Sequence, residues 1–558
     1  MSLTKVTYSM IQGAAFNVLD YGVIGDGVTD DTSAIQALLL TASGKSPVYF
    51  PAGTYMVRTN EILSGNVNKR GIQIPSNSEL ILDQNATIQA ITNTDDVYNI
   101  MCVYRTSNVT IRGGKFNGDA PGHAGGLTKN GIGLRIQNGT NVTVYDTIFS
   151  NTITDGVAIL YDDVDPAQPT STNVWLYNVT ATDNYRNGVS VIACDGGGIF
   201  GGTFSGANLA AIDIEPNGIG GFVLAPSEVK NYTVSGTVCK DSEVGVNCYG
   251  ANAQPTQGII NHLSITDNSF ENCSVSSIYL FQLQNVIVSN NKINGGGSVG
   301  GIVVDSSKQI IVANNEIKAS TSFGIRVMTA TSAFLVDNVV INGNTVNASA
   351  GAGVYVDGAF TPLSNIIISN NSVITSGNSG FDLNNITRGT VVGNSVHDSS
   401  QNTDNTSDNI FVNYCSYMTI AENNLYRGAG ANQARYGIVL GGNVLDSSVI
   451  DNMMYESGKT GSISNSGTRN TVGRNKIAQS VLRGTLTLSA AAATTVTNGN
   501  VLASSIIVLT PANAAAATLQ QGANAVYVSA LNSGTSFVLT TAGGGSAAGT
   551  EQFYYSVE

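Results

Sequence analysis

Two carboxylates alternate with two isoleucines in Ala211-Ile212-Asp213-Ile214-Glu215-Pro216. In a β-strand successive side chains point to opposite faces, so Ile212 and Ile214 are expected to enter a core while Asp213 and Glu215 stand outside, side by side. Such a pair suits glycosidic hydrolysis, in which one carboxylic acid protonates the leaving oxygen and one carboxylate acts as nucleophile or as base on water. Backbone positions two apart on a strand are separated by ~6.5–7 Å, which leaves both the retaining and the inverting outcome open. Glu215 is expected to be the general acid, desolvated by Ile192 and Tyr249, and Asp213, beside Ser190 and Asn247, to stay ionised. Arg186 orients Asp213, binds substrate or forms a plain salt bridge. An isolated Asp-x-Glu strand is more often solvated surface, so the scaffold around the pair decides its meaning.

That scaffold is a repeat. Short Gly-apolar-x-apolar strands begin at Gly131, Gly156, Gly188, Ala211, Gly245, Ser277, Gly301, Gly324, Gly353, Gly380, Asn409 and Gly437, at steps of 23 to 34 residues. In phase with them run Asn268, Asn291, Asn315, Asn344, Asn371, Asn394, Asn424, Asn452 and Asn475, each in a turn before an apolar residue. Asparagine recurring at one turn suits a position that tolerates the left-handed region and bonds along a stack. Two series in phase predict an all-β solenoid, a parallel β-helix, over residues 45–482. Residues 1–44 form a lead-in with one capping helix, where Ala34, Ile35, Leu38 and Leu39 follow an N-cap signal in Gly25 to Thr32. Residues 483–558 form a small C-terminal β-sandwich, with strands near Ile506 to Leu509 and Ala525 to Val528.

Equivalent residues of adjacent coils stack ~4.8 Å apart, so the alignment is also a surface map. One outward column reads Ser190, Asp213, Asn247, Tyr279, Val303, Arg326, Tyr355, Asp382, Phe411. Its neighbour reads Ile192, Glu215, Tyr249, Phe281, Asp305, Met328, Asp357, Asn384, Asn413. Exposed rings beside acids fit a carbohydrate groove, with Arg186, Asn247, Tyr249, Tyr279, Phe281, Arg326 and Tyr355 as substrate-binding residues. Cover by another subunit or by the protein's own loops is the competing explanation. Asp305, Asp357 and Asp382 form an alternative catalytic group. Longer coils around the Asp213 strand, with insertions at Asp162 to Pro166 and Tyr249 to Pro255, are expected to wall the site. Asp162, Asp163 and Asp165 are read as solvated loop residues rather than calcium ligands.

The balance of 25 basic against 38 acidic residues gives a net charge of −13, which argues against nucleic acid and anionic membranes as partners. No apolar run suits a membrane span, and Met1 to Lys5 lacks the apolar stretch of a secretory signal. The six cysteines show no zinc or disulfide pattern and are expected to be buried thiols. No metal or cofactor is expected.

Thr4 to Ile11, Asn17 to Gly22, Gly25 to Thr32 and Phe50 to Tyr55 resemble the start of the pectate-lyase-like β-helix of bacteriophage tailspikes. Arg186 to Val191 followed by Ile212 to Asn217 is similar to a pair recurring in that β-helix group, and the region from 484 is similar to small β-sandwich ends of phage tail proteins. The resemblance implies a right-handed coil and a homotrimeric, virion-borne depolymerase that cleaves capsule or O-antigen on the host surface. It also implies attachment to a phage tail or baseplate protein through the N-terminus. The roughly twenty residues before the helix leave no room for a particle-binding head, so either a short peptide attaches it or a head has been removed. A polysaccharide lyase, with His123 or Arg326 serving the uronate chemistry, is the alternative enzyme. A receptor-binding fibre without catalysis is the alternative from another class. His262 and His397 are expected in turns, structural or merely exposed. The closing Phe553-Tyr554-Tyr555 is expected to be buried against another subunit.

Overall fold

The computed structural model describes residues 14–59, 71–95, 97–125, 130–162, 170–216, 227–250, 259–330, 335–478, 483–498, 501, 503, 505–532 and 535–557. Successive coils contribute strands to three parallel sheets, A and B of seventeen strands and C of fifteen, the first and last coils giving none to C among the described residues. Sheet A runs from Phe16–Asn17 to Thr471–Gly473, sheet B from Asp26–Asp30 to Lys476–Ala478, and sheet C from Ile72–Gln73 to Gly461–Asn465. Alternation explains the core. In Ala210–Ile214, Ile212 and Ile214 are fully buried, stacked on Val189 and Val191 above and on Val246 and Cys248 below.

The glycine that opens most sheet C strands answers a close approach between coils. A Cβ on Gly188 would lie 2.5 Å from the Ala211 carbonyl oxygen of the next coil.

The asparagine column is internal. From Asn268 to Asn475, the backbone N–H and the Nδ2 of each residue both donate to Oδ1 of the next, at 2.9 to 3.0 Å. Thr237 starts it, donating N–H and Oγ1 to Asn268. Two expectations are corrected. The rung is Asn423, not Asn424, which is exposed on the strand that follows. The left-handed residue is the one before each rung, such as Asp267, Asn290 or Asn314, so the rung itself turns inward.

Thr32–Ala42 is the expected helix. It buries Ile35, Leu38, Leu39 and Ala42 over the N-terminal coils, and Gln36 bonds to both Gln73 N and O, at 2.7 and 3.0 Å. Asp31 does not cap it with its side chain; its carboxylate accepts from the Ile24 and Gly25 N–H groups instead. Beyond the solenoid lie two three-stranded antiparallel sheets, Arg483–Thr487 with Gln552–Val557 and Ile507–Pro511, and Ala493–Thr497 with Ser536–Thr541 and Val526–Asn532. They share a separate apolar cluster that includes Phe537, Leu539 and Phe553. A second helix, Ala514–Gln521, was not expected; Asn513 caps it by accepting from the Ala516 N–H at 2.9 Å. Phe553 and Tyr555 are buried in this cluster, which corrects their assignment to a subunit contact and leaves Tyr554 exposed.

All six cysteines are buried, and none is joined in a disulfide. Asp162 is also buried, ion-paired to Arg105, and is not solvated loop; Asp163 and Asp165 lie outside the described residues, as do Thr4 to Ile11 and Ala251 to Pro255. His262 and His397 sit in strands, His397 stacked on Tyr426 at 4.5 Å.

Candidate active site

Sheet C carries both expected columns in register, from Ser190 to Phe411 and from Tyr249 to Asn413. Glu215 joins the second at its top, its N–H extending the ladder to the Val191 carbonyl at 3.0 Å.

Asp213 faces outward yet is only 1 % exposed. Asn187, at the start of the strand above, donates Nδ2 to Asp213 Oδ2 at 3.0 Å, and Asn247, directly below, donates Nδ2 to Oδ1 at 2.8 Å. Asn187 is itself fixed, since its Oδ1 accepts from the Ala210 N–H at 3.0 Å. Glu215, half-buried, lies past the strand end beside Asp213. It lines a cleft of about 210 Å³ walled by Arg135, Gln137, Asp155, Tyr161, Arg186 and Ile192.

Burial first, and the neighbouring Glu215 second, push the Asp213 carboxyl up to about 7, against the opposing pull of the Asn247 donor. Burial also raises Glu215, but Arg186 works against the shift. The pair therefore titrates above the usual carboxylate range, with burial weighing most on Asp213. This corrects the expectation that Asp213 stays ionised: Ser190 and Asn247 roof it over rather than admitting water.

Arg186 is held by Asp155, whose Oδ1 accepts from Nε at 2.8 Å while Oδ2 accepts from Nη2. Its charge reaches both members of the pair. The wall residues Arg135, Gln137, Asp155 and Tyr161 were not anticipated. The Asp213 column continues upward through Ala158, Arg135 and Cys102, which would have revealed Arg135.

Lower on the same face, the stacked rings of Tyr249 and Phe281 lie 4.5 Å apart, and so do those of Phe323 and Tyr355. Phe281 is buried under this stack and is not an exposed sugar platform, while Tyr249, Tyr279, Tyr355 and Phe411 are half-buried. Asp305 is buried, its oxygens accepting from Ser306 Oγ, the Ala330 N–H and Tyr279 Oη. Asp357 accepts from Tyr355 Oη at 2.8 Å, and Asp382 from Asn384 Nδ2 at 2.6 Å. The alternative trio is thus tied into local bonds. The His123 imidazole is buried beside Tyr98 and bonded to Asp119 at 3.0 Å.

Among the described residues no cluster of three or more metal-ligating side chains occurs, and no helix is long and apolar enough to cross a membrane.

Residues 15–200 match the family model "Rhamnogalacturonase A/epimerase, pectate lyase-like", and residues 197–365 match "Right handed beta helix region". Together they support a right-handed parallel β-helix, with the pectate lyase-like match confined to residues 15–200. An uncharacterized Bacillus subtilis protein, YclG, is 31% identical over 193 residues, 32% of this chain and 33% of its own length. Mannuronan C5-epimerase AlgE2 of Azotobacter vinelandii is 30% identical over 169 residues, 26% of this chain and 16% of its own. The matches thus span a third or less of these relatives. The tailspike protein of E. coli bacteriophage HK620, solved with a pentasaccharide, aligns over 97% of this chain and 93% of its own at 12% identity, with a TM-score of 0.49.

Proposed function

We propose that this protein is a phage tailspike depolymerase that binds bacterial surface polysaccharide along sheet C and hydrolyses it at Glu215 and Asp213. The observation that carries the reading is a carboxyl pair at the edge of a polar cleft, in which amides from the coils above and below fix Asp213 and Glu215 lines the cleft. Glu215, which faces the cleft, gives its proton to the glycosidic oxygen as the bond to the anomeric carbon breaks; water adds to that carbon, and the proton it releases returns to the Glu215 and Asp213 pair. Arg186, clamped by Asp155, keeps Glu215 oriented and limits the rise of its pKa. The exposed or half-buried aliphatic column on the outer face of sheet A, Ile287, Ile311, Val340 and Ile367, supports side-by-side packing of copies into the homotrimer. The N-terminus then serves for attachment to the phage tail.

A second reading, lyase or epimerase chemistry on a uronate, is favoured by the epimerase relatives and by Arg135 and Arg186 in the cleft wall. His123 does not serve it, because its imidazole is buried and bonded to Asp119.

The test is incubation with a panel of purified capsular polysaccharides and O-chains, comparing wild type with Asp213→Asn and Glu215→Gln. Hydrolysis gives new reducing ends without ultraviolet-absorbing unsaturated sugars, and each variant loses about a hundred- to ten-thousand-fold of the rate. Activity surviving both substitutions, or unsaturated products, rejects the reading. Polysaccharide binding without either product identifies an adhesin.

A further inference from the structure

Arg326 is unlike other arginines on this flank. Arg105, Arg186 and Arg435 each ion-pair with a buried carboxylate: Asp162, Asp155 and Asp408. Among the described residues Arg326 has no ion-pair partner, and its Nε is buried without a hydrogen bond. Its guanidinium lies 5.2 Å from the Phe323 ring centroid and 5.8 Å from that of Tyr355, two rings stacked on each other. Carboxylates are not lacking, because Asp305, Asp357 and Asp382 occupy neighbouring positions of the two columns. They are held elsewhere. Tyr279 Oη donates to Asp305 at 3.2 Å and Tyr355 Oη to Asp357 at 2.8 Å, while Asn384 takes Asp382. Two tyrosine hydroxyls thus keep the nearest acids engaged, and the cation stays open, supported by ring faces.

The ligand follows from the charges. A carboxylate or phosphate group here would meet one guanidinium and three acids, an unfavourable balance. A sugar hydroxyl both donates and accepts, and the guanidinium donors beside carboxylate oxygens answer both requirements. The apolar face of a pyranose ring suits the Phe323 and Tyr355 stack.

We propose that Arg326, Phe323 and Tyr355 form a second saccharide subsite for an uncharged sugar residue, on the same face as Glu215. The register places Arg326 four coil steps from Asp213, about 19 Å at ~4.8 Å per step. One chain must span that distance to touch both places, so the subsite selects neutral polysaccharides over short fragments. This inference rests on the reading of sheet C as the substrate face.

The experiment uses the full chain carrying Glu215→Gln, which binds without turnover, on an array of purified neutral and uronate-bearing bacterial polysaccharides. Binding to neutral members is expected. It falls about tenfold or more when Arg326→Gln is added. Tyr355→Phe keeps the ring but frees Asp357 to capture Arg326, and is expected to weaken binding as well. It also decides the matter if Arg326→Gln does not fold. Affinity unchanged by Arg326→Gln and Tyr355→Phe, retention of uronate-bearing members only, or binding to no member overturns the subsite. If binding depends on Arg326 while the unsubstituted protein releases no reducing ends, hydrolysis fails and the subsite stands.

Discussion

Asn247 Nδ2 lies 2.8 Å from Asp213 Oδ1 and donates to it across the seam between two coils. This bond favours the carboxylate and opposes the burial that drives Asp213 up to about 7. Asn247→Ala removes the donor, so Asp213 holds its proton to higher pH. The pH profile of kcat/KM is expected to move toward higher pH, with little change in stability at pH 5, where the carboxyl is already protonated. A profile that stays in place means the bond does not govern the titration.

The raised Asp213 pKa also links stability to pH. Between the unfolded carboxyl value of ~3.9 and about 7, the native state binds a proton that the unfolded chain has lost. Its contribution is therefore complete below the unfolded value and is lost as pH rises toward 7. Asp213→Asn cannot lose it. The difference in Tm between Asp213→Asn and wild type is expected to shift in favour of the variant from pH 4 to pH 7, then level off. Parallel Tm curves across that range contradict the assignment.

Arg186→Met leaves Asp155 without its partner at 2 % exposure. Because Arg186 itself is 43 % exposed, water screens part of the pair, and a loss of about 1–3 kcal/mol in denaturant unfolding is expected. Arg186 also lowers both members of the carboxyl pair, so its loss moves the acid limb of the activity profile upward. A stability change without that movement would make Arg186 purely structural.

The inner column gives a sharper contrast. Asn344→Ala strips the acceptor from the Asn315 N–H and Nδ2 and the donor from the Val312 carbonyl, all deep in the coil. Each unmet buried group costs about 1–3 kcal/mol, so a total near 3 kcal/mol or more is expected. Asn424→Ala, on an exposed strand position, is expected to change denaturant midpoints little. Equal effects at the two positions would mean that the column adds no stability.

Solenoid coils repeat, and repetition made the architecture and both outer columns of sheet C legible in sequence. Where two asparagines are adjacent, as at Asn423 and Asn424, residue type cannot decide which one turns inward; the left-handed Glu422 does. The carboxyl pair was legible from alternation, but its burial was not. That depends on Asn187 and Asn247 from other coils. Asp155 and Arg186 stand at strand entrances, where no repeat pattern marks them. The Ala514–Gln521 helix hid in an alanine run whose signal was the single Asn513 cap.

The asparagine column has a direction. Every rung reaches toward the coil that follows it and receives from the coil before. A ribosome delivers the coils in that same order, so each finished turn presents ready donors to the turn just emerging, and the solenoid can be laid down on itself during synthesis. Until Asn475 is in place, the growing end is an adhesive template of unmet amides and open strand edges. A chain stopped between Asn291 and Asn452 carries that template permanently, and another chain of the same kind can complete it end to end.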